Sequence, residues 1–270
     1  MMTKFVFTTL LTLMISSGSV CLAQPRTLKG TWISTEQDLI EILTTRRDSI
    51  NFISNKLLQE DRFHLFIFSD TLSFQDIYTS SSTQFKTENT DRYDLKIISC
   101  NDSILVVSPI SDLSKKYFQK RPIISLKNKK YIHDNTIVFE KLVYHSIFGG
   151  PTIALQIDSS KNLFMNYINT SSNKKYGLPT GNYSAVLDDE TYNELIYHLQ
   201  NCNIRTLKFR DSKGADSPVI SLIIYFNGKR KYLKSIAPPR ISADLVSFII
   251  WRLCSYENLK PTNDKKEIER

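Results

Sequence analysis

The side chains that most often carry out chemistry are scattered along this chain and form no recognisable motif. Its histidines lie at positions 64, 133, 145 and 198 (His64, His133, His145 and His198). None of them is spaced as H-x-x-x-H or H-x-H, and no cysteine stands at metal-binding spacing from another. A Gly-x-Ser-x-Gly elbow and a phosphate-binding glycine loop are also absent from the sequence. The sequence therefore predicts no catalytic residue, no metal site and no cofactor site.

Two groups of charged residues are the nearest approach to a site. Asp188 and Asp189 are adjacent carboxylates of the kind used in acid–base catalysis, but their position at the start of a predicted helix explains them as capping residues. Arg205, Lys208 and Arg210 lie on a predicted strand over residues 204–209 and just beyond it. Their spacing puts Arg205 on one strand face and the other two on the opposite face. A small anion-binding face is one interpretation, and a solvated strand face is the one we favour.

The chain begins with the pattern of a secretory signal peptide. Lys4 precedes an apolar run over residues 5–15, small residues follow, and Ala23 completes a cleavage site before Gln24. The run is shorter than the roughly 20 residues that a spanning helix needs. We expect residues 1–23 to be removed and the protein to be exported to the periplasm, outer envelope or medium. The alternatives are an uncleaved anchor and a lipoprotein attached through Cys21, which the bulky Val20 disfavours.

The mature chain would keep three cysteines, of which two follow predicted helices. Cys202 and Cys254 would be able to form a disulfide in an oxidising compartment. Each is also explained as a small buried apolar side chain, which is the interpretation we favour.

Positive charge exceeds negative charge and gathers where turns are predicted. The chain has 35 Lys and Arg against 27 Asp and Glu, a formal net charge of +8. The clusters occupy residues 127–130, 174–175 and 229–231, where charges at hairpin tips serve solubility and protect strand edges. Nucleic acid would require a basic face with stacking aromatic residues, so we expect no nucleic-acid partner. Attraction to an anionic envelope polymer remains an alternative.

Residues 24–141 are predicted to form a β-rich first domain. Tyr93, Leu95 and Ile97 alternate with the residues between them, as in a half-buried antiparallel strand. Many short strands with hardly any helix indicate an antiparallel barrel or a sandwich. The predicted strands cover residues 30–34, 38–43, 49–53, 62–68, 72–77, 92–99, 104–107, 123–126, 131–132 and 136–139.

This first domain resembles the small lipocalin-like domains of exported bacterial proteins. The resemblance depends on Gly30-Thr-Trp32 at the first strand, on the meander of strands, and on a last strand over residues 137–141. It implies an eight-stranded barrel, which either encloses one small apolar ligand or is filled by its own side chains. The many Phe, Ile and Leu residues favour a filled barrel with Trp32 as a plug at one end.

Residues 142–259 are predicted to form a second domain of the α+β class, after a break near residues 148–151. Asp188 caps a predicted helix over residues 187–199, and Asn227-Gly228 predicts a type I′ hairpin between apolar strands. Val246 and Leu253 belong to an apolar stripe at helical spacing. The order of elements predicts two helices on one antiparallel sheet, followed by a charged, disordered tail over residues 260–270.

The second domain resembles a secreted bacterial family catalogued as a domain of unknown function. Gly149-Gly150, Gly181-Asn-Tyr183, Asp216 and Pro238-Pro239 before the last helix fit the family outline, whereas the paired cysteines of its opening turn are absent. The resemblance implies a fold and transfers no reaction.

These observations predict an exported, non-catalytic binding or interaction protein of the bacterial cell envelope. Its partner would be a small apolar ligand or an envelope protein or polymer. One alternative is an envelope hydrolase whose site assembles only in three dimensions, for example from Asp216, Arg210 and a histidine. Another is a periplasmic inhibitor or immunity-type protein.

Overall fold

The computed structural model of the chain describes residues 28–44, 50–56, 60–147, 151–170, 178–209 and 218–270. The predicted signal peptide with Ala23 and Cys21 lies outside these ranges. So do the centre of the predicted domain break at residues 148–150, the basic pair at residues 174–175, and two residues of the hypothetical hydrolase site, Arg210 and Asp216.

The first part of the chain is a closed barrel of eight antiparallel strands, which confirms the predicted β-barrel. Each strand pairs with the next, and the last strand returns to the first through the pairs Trp32–Asn128 and Ile33–Lys127. The strands are β1 (Gly30–Ile33), β2 (Leu39–Ile42), β3 (Ile50–Ser54), β4 (Glu60–Phe68), β5 (Thr71–Thr79), β6 (Glu88–Cys100), β7 (Ile104–Pro109) and β8 (Ile124–Asn128).

Apolar side chains from alternate strand positions pack together inside the barrel. Trp32 and Phe74 are completely buried there, and the indole Nε1–H of Trp32 donates to the Leu28 carbonyl at 2.9 Å. A short helix that the sequence did not predict, α1 (Asp112–Tyr117), joins β7 to β8. Its last residue, Tyr117, donates its hydroxyl to the Ile53 carbonyl at 3.1 Å. The barrel is thus packed with its own side chains and fastened to α1.

The second part is a seven-stranded antiparallel sheet in the order β14-β13-β9-β10-β11-β12-β15, with few helices. The helices α2 (Asp189–Asn201) and α3 (Ala243–Phe248) share one apolar cluster with one face of the sheet, and α3 continues into a π-helix (Ile249–Leu253). None of the helices in the described ranges combines the length and apolarity needed to span a membrane. The strands are β9 (Phe139–Ile147), β10 (Thr152–Asp158), β11 (Asn162–Ile168), β12 (Gly181–Val186), β13 (Val219–Phe226), β14 (Lys229–Ser235) and β15 (Lys260–Thr262).

Two local predictions in this sheet are confirmed. Asn227 and Gly228 have φ angles of 52° and 68°, as a type I′ turn between β13 and β14 requires. Asp188 caps α2, because its carboxylate accepts from the backbone N–H of Thr191 at 2.6 Å. That hydrogen bond, together with one from the Tyr256 hydroxyl, lowers the pKa of Asp188. Capping therefore explains Asp188, whereas the Asp189 carboxylate accepts from the Lys161 ammonium group.

Three stretches differ from the sequence predictions. Residues 131–132 and 136–138 are not barrel strands, and Phe139 opens β9, which pairs with β13 of the second sheet because β8 already closes the barrel. Residues 204–209 form no strand, since the chain turns after α2 with Asn203 at a φ of 54°. Residues 260–270 are not a disordered tail, because β15 pairs with β12 and Ile268 is buried against the sheet.

The barrel and the sheet contact each other directly. Ile33 and Leu39 of the barrel strands are buried in the same apolar cluster as the sheet and its helices. Arg240, just before α3, donates to the Glu41 carboxylate on β2, and its guanidinium lies 3.7 Å from the centre of the Phe52 ring. The division of the chain into two domains remains a prediction.

Candidate functional site

An apolar groove of about 810 Å³ opens between the seven-stranded sheet and the π-helix. Its volume lies within the range of roughly 300–1,000 Å³ typical of small-molecule sites. Strands β9, β10, β11 and β13 supply its floor from the face that carries the helices, and the π-helix with the turn after it supplies its rim. The principal lining side chains are Tyr144, Ile153, Tyr167, Ile220, Ile250 and Trp251.

The π-helix presents the indole ring of Trp251 at the rim of this groove. Ile249 and Leu253 of the same turn are completely buried, whereas Trp251 is 78% exposed. An indole is usually buried to a large extent in a folded protein, and π-helical turns occur frequently at functional sites. The exposed Trp251 is therefore the most unusual single feature of the groove.

Two phenol hydroxyls of the groove wall have partners inside the protein. The Tyr144 hydroxyl is hydrogen-bonded to Ser146, and burial of this phenol raises its pKa to about 12. The Tyr256 hydroxyl donates to the Asp188 carboxylate at 2.8 Å and accepts from the Asp188 backbone N–H at 3.0 Å. Glu257 is the one charged residue among the described lining residues. The described part of the wall thus offers mainly apolar and aromatic surface.

Neither of the two buried cysteines supplies a nucleophile. Cys254 lines the groove, is 8% exposed, and has its pKa raised to about 12 by burial. Cys202 is likewise buried with a pKa raised to about 12, and neither thiol forms a disulfide. Both therefore stay protonated near neutral pH and lack the thiolate that nucleophilic attack and metal binding require. This agrees with their interpretation as buried apolar side chains.

A second, polar cleft of about 360 Å³ lies where the barrel meets α2 and α3. Lys129 and Asp244 form an ion pair across it at 2.5 Å. The His198 ring packs against the Phe248 ring with centres 5.0 Å apart, and its Nε2 lies 3.6 Å from a Glu194 oxygen. The Lys129–Asp244 ion pair thus joins the two parts of the chain across the cleft.

The remaining histidines lie on separate segments of the chain. His64 lies on β4, His133 in the segment before β9, and His145 on β9. Within the ranges that the structure describes, no three His, Cys, Asp or Glu side chains are grouped so as to hold a metal ion.

Arg205 and Lys208, the described members of the hypothetical anion-binding face, do not lie on a strand, and Arg210 lies outside the described residues. The Arg205 guanidinium donates to Asp134 at 2.6 Å and to the Thr136 hydroxyl at 2.8 Å. Hydrogen bonds from Thr136 and Arg205 lower the pKa of Asp134. Lys208, three residues after Arg205, is exposed to solvent. Arg205 thus fastens the turn after α2 to the segment before β9.

No family model matches this chain, and neither the curated proteins nor the solved structures contain a match. The groove must therefore be interpreted from its own chemistry.

Trp251 is a functional candidate that no motif in the sequence pointed to. The available signal was its position within the second apolar helix, off the stripe formed by Val246, Ile249, Ile250 and Leu253. An indole on the polar side of an amphipathic helix lacks an intramolecular packing partner, which is a reason to suspect a binding surface.

Proposed function

We propose that this protein is an exported, non-catalytic binding protein of the bacterial cell envelope that takes a small apolar ligand in the groove beside Trp251. The observation that carries the proposal is a groove of about 810 Å³ with apolar walls and a 78% exposed indole at its rim. Export is supported by the signal-peptide pattern of residues 1–23. A relationship to lipocalin-like domains is part of the proposal, supported by Trp32 on the first strand of an eight-stranded barrel.

The wall chemistry favours an apolar ligand over a charged one. A charged ligand would lose its hydration in the groove, where Glu257 is the one charged side chain of the described lining, whereas apolar surface gains roughly 25 cal/mol for each Å² removed from water. A flat or extended hydrocarbon would lie between the floor at Ile153 and Ile220 and the indole of Trp251. In this proposal the packed barrel is a scaffold, and the seven-stranded sheet carries the ligand.

The test uses N-phenyl-1-naphthylamine, a neutral apolar dye whose fluorescence rises when it leaves water. We expect saturable binding of about one dye per chain, and we expect Trp251→Ala to weaken it about tenfold, equivalent to about 1.4 kcal/mol. Tyr197→Ala is the matched control, because Tyr197 is another exposed aromatic residue, 59% exposed on α2, and does not line the groove. Absence of saturable binding, or equal losses in the two variants, would contradict the proposal. If the dye binds as expected, native mass spectrometry of the protein purified from its own envelope would identify the natural ligand.

A further inference from the structure

The face of the seven-stranded sheet opposite the helices is covered by the last residues of the chain. We call residues 263–270 the strap. Ile268 is 9% exposed and packs in a separate small cluster with Val143, Phe164 and Ile223, which come from β9, β11 and β13. These three side chains form an apolar slot under the strap.

Glu269 follows Ile268 and lies in a set of four side chains that we call the cradle. The Glu269 carboxylate accepts from Tyr225 at 2.6 Å, from Lys141 at 2.8 Å and from Arg230 at 2.9 Å. The ring of His145 is the fourth member, and its Nε2 donates to the backbone carbonyl of Glu269 at 2.6 Å. The hydrogen bonds from Lys141 and Tyr225 lower the pKa of Glu269 to about 2. Charge-assisted bonds of these lengths are the strong class of hydrogen bond.

The strap reaches the cradle by crossing the sheet with little slack. From β15 to β9 and β13 there are four to five strand spacings, which amount to roughly 19–24 Å at about 4.8 Å each. Thr262 and Glu269 are seven residues apart, and an extended chain spans roughly 23 Å over that length at about 3.3 Å per residue. Residues 263–267 are exposed, so Ile268 and Glu269 provide the attachment.

This arrangement has the form of a peptide bound at two points. The cradle is assembled from strands β9, β13 and β14, and its members Lys141 and Arg230 are 89 residues apart in sequence. These two cationic side chains both bind the single carboxylate of Glu269. An apolar slot beside such a cradle selects an aliphatic side chain followed by an acidic one. We propose that this face is a docking site for an extended segment of another protein carrying an aliphatic residue followed by glutamate, and that the strap occupies the site in cis. The excess of positive charge on the chain favours such an acidic partner.

The test measures binding of a fluorescein-labelled peptide with the sequence of residues 263–270 to the full chain. Ile268→Asp should release the strap and leave the site open, because it puts a charge into the apolar slot. We expect this variant to bind the peptide saturably and the wild-type chain to bind it at least about tenfold more weakly, since a tethered strap competes at high effective concentration. Glu267→Gln is the matched control, because Glu267 is exposed on the same strap, and it should behave as wild type.

Specificity is tested with the same assay. A peptide carrying Gln in place of Glu269 should lose most of its binding, and Arg230→Ala in the released variant should weaken binding of the original peptide. Glu269→Gln provides a second released variant in case Ile268→Asp does not fold.

Three outcomes would overturn the proposal. The first is a folded released variant that does not bind the peptide, and the second is equal binding of the Glu and Gln peptides. The third is a concentration-dependent dimer of the wild-type chain that Ile268→Asp abolishes in sedimentation, because it would assign the site to the strap of a second copy.

Discussion

Replacing Arg121 with methionine should destabilise the barrel by about 3 kcal/mol. The Arg121 guanidinium donates in bidentate fashion to the carboxylate of Asp38, whose side chain is completely buried. Removing one partner of a buried ion pair costs about 3–5 kcal/mol, because the other charge is left without compensation. Two donors would still reach Asp38, the Ser34 hydroxyl at 2.7 Å and the Lys56 backbone N–H at 2.9 Å. We therefore expect the lower end of that range.

The assay is urea unfolding followed through Trp32, the buried indole of the barrel. The experiment is done with Trp251→Phe in every chain, so that Trp32 is the only fluorophore of its kind. Lys56→Met is the matched control, because it breaks an ion pair with Glu36 at 3.3 Å whose side chains are 34% and 53% exposed. Such a pair contributes at most about 1 kcal/mol.

A double variant separates two contributions to the destabilisation: the loss of the Arg121–Asp38 ion pair, and the cost of leaving the buried Asp38 carboxylate without its cationic partner. Adding Asp38→Asn to Arg121→Met removes the buried charge, and we expect it to recover about half of the lost stability. A loss below about 1 kcal/mol in Arg121→Met would refute the reasoning. So would a double variant less stable than Arg121→Met alone, because the destabilisation would then not come from the uncompensated Asp38 carboxylate.

Two further predictions concern the second sheet. Because the cradle lowers the pKa of Glu269 from its ordinary value of 4.5 to about 2, its ionised form stabilises the docked strap fully above pH 4.5 and loses this effect as the pH falls toward 2. Hydrogen exchange of residues 263–270, corrected with a free peptide, should show acid-sensitive protection in the wild type and weak protection at every pH in Glu269→Gln. Asp188→Ala should lower the free energy of unfolding by about 1 kcal/mol in urea, because α2 loses its N-cap. Asp188→Asn should restore most of it, and an equal loss in the exposed neighbour variant Asp189→Ala would contradict the capping explanation.

The parts of the fold that follow from local signals could be predicted from the sequence. Asn227-Gly228 specifies its turn through two positive φ angles, and Asp188 specifies the start of α2 through one short side chain. The alternation around Leu95 is a property of a single strand. The existence of the eight barrel strands could therefore be predicted, although the residues at which they begin and end could not.

The parts that depend on contacts between distant segments could not be predicted. Residues 204–209 look like a strand because Ile204 and Leu207 are apolar, yet both are buried in a turn against the core. Residues 260–270 look solvated because they are charged, and nothing near Glu269 in sequence reveals that its partners lie on β9, β13 and β14.

The groove was invisible in the sequence for the same reason. Its floor comes from four strands, and its rim depends on the change from α-helix to π-helix at Ile249. The helical pattern places Trp251 off the apolar stripe, but it does not show which strands lie opposite the indole.

The contact between barrel and sheet has a consequence for how the chain can be divided. Ile33 and Leu39 belong to barrel strands by hydrogen bonding but to the other core by packing. A barrel produced alone would leave these two aliphatic residues facing water, and a sheet produced alone would lack them as part of its packing. The barrel and the sheet therefore each bury apolar surface of the other. A fragment containing only one of them would expose that surface and be prone to self-association. A mutation in the barrel or in the sheet would also reduce the cooperativity of unfolding of the whole chain.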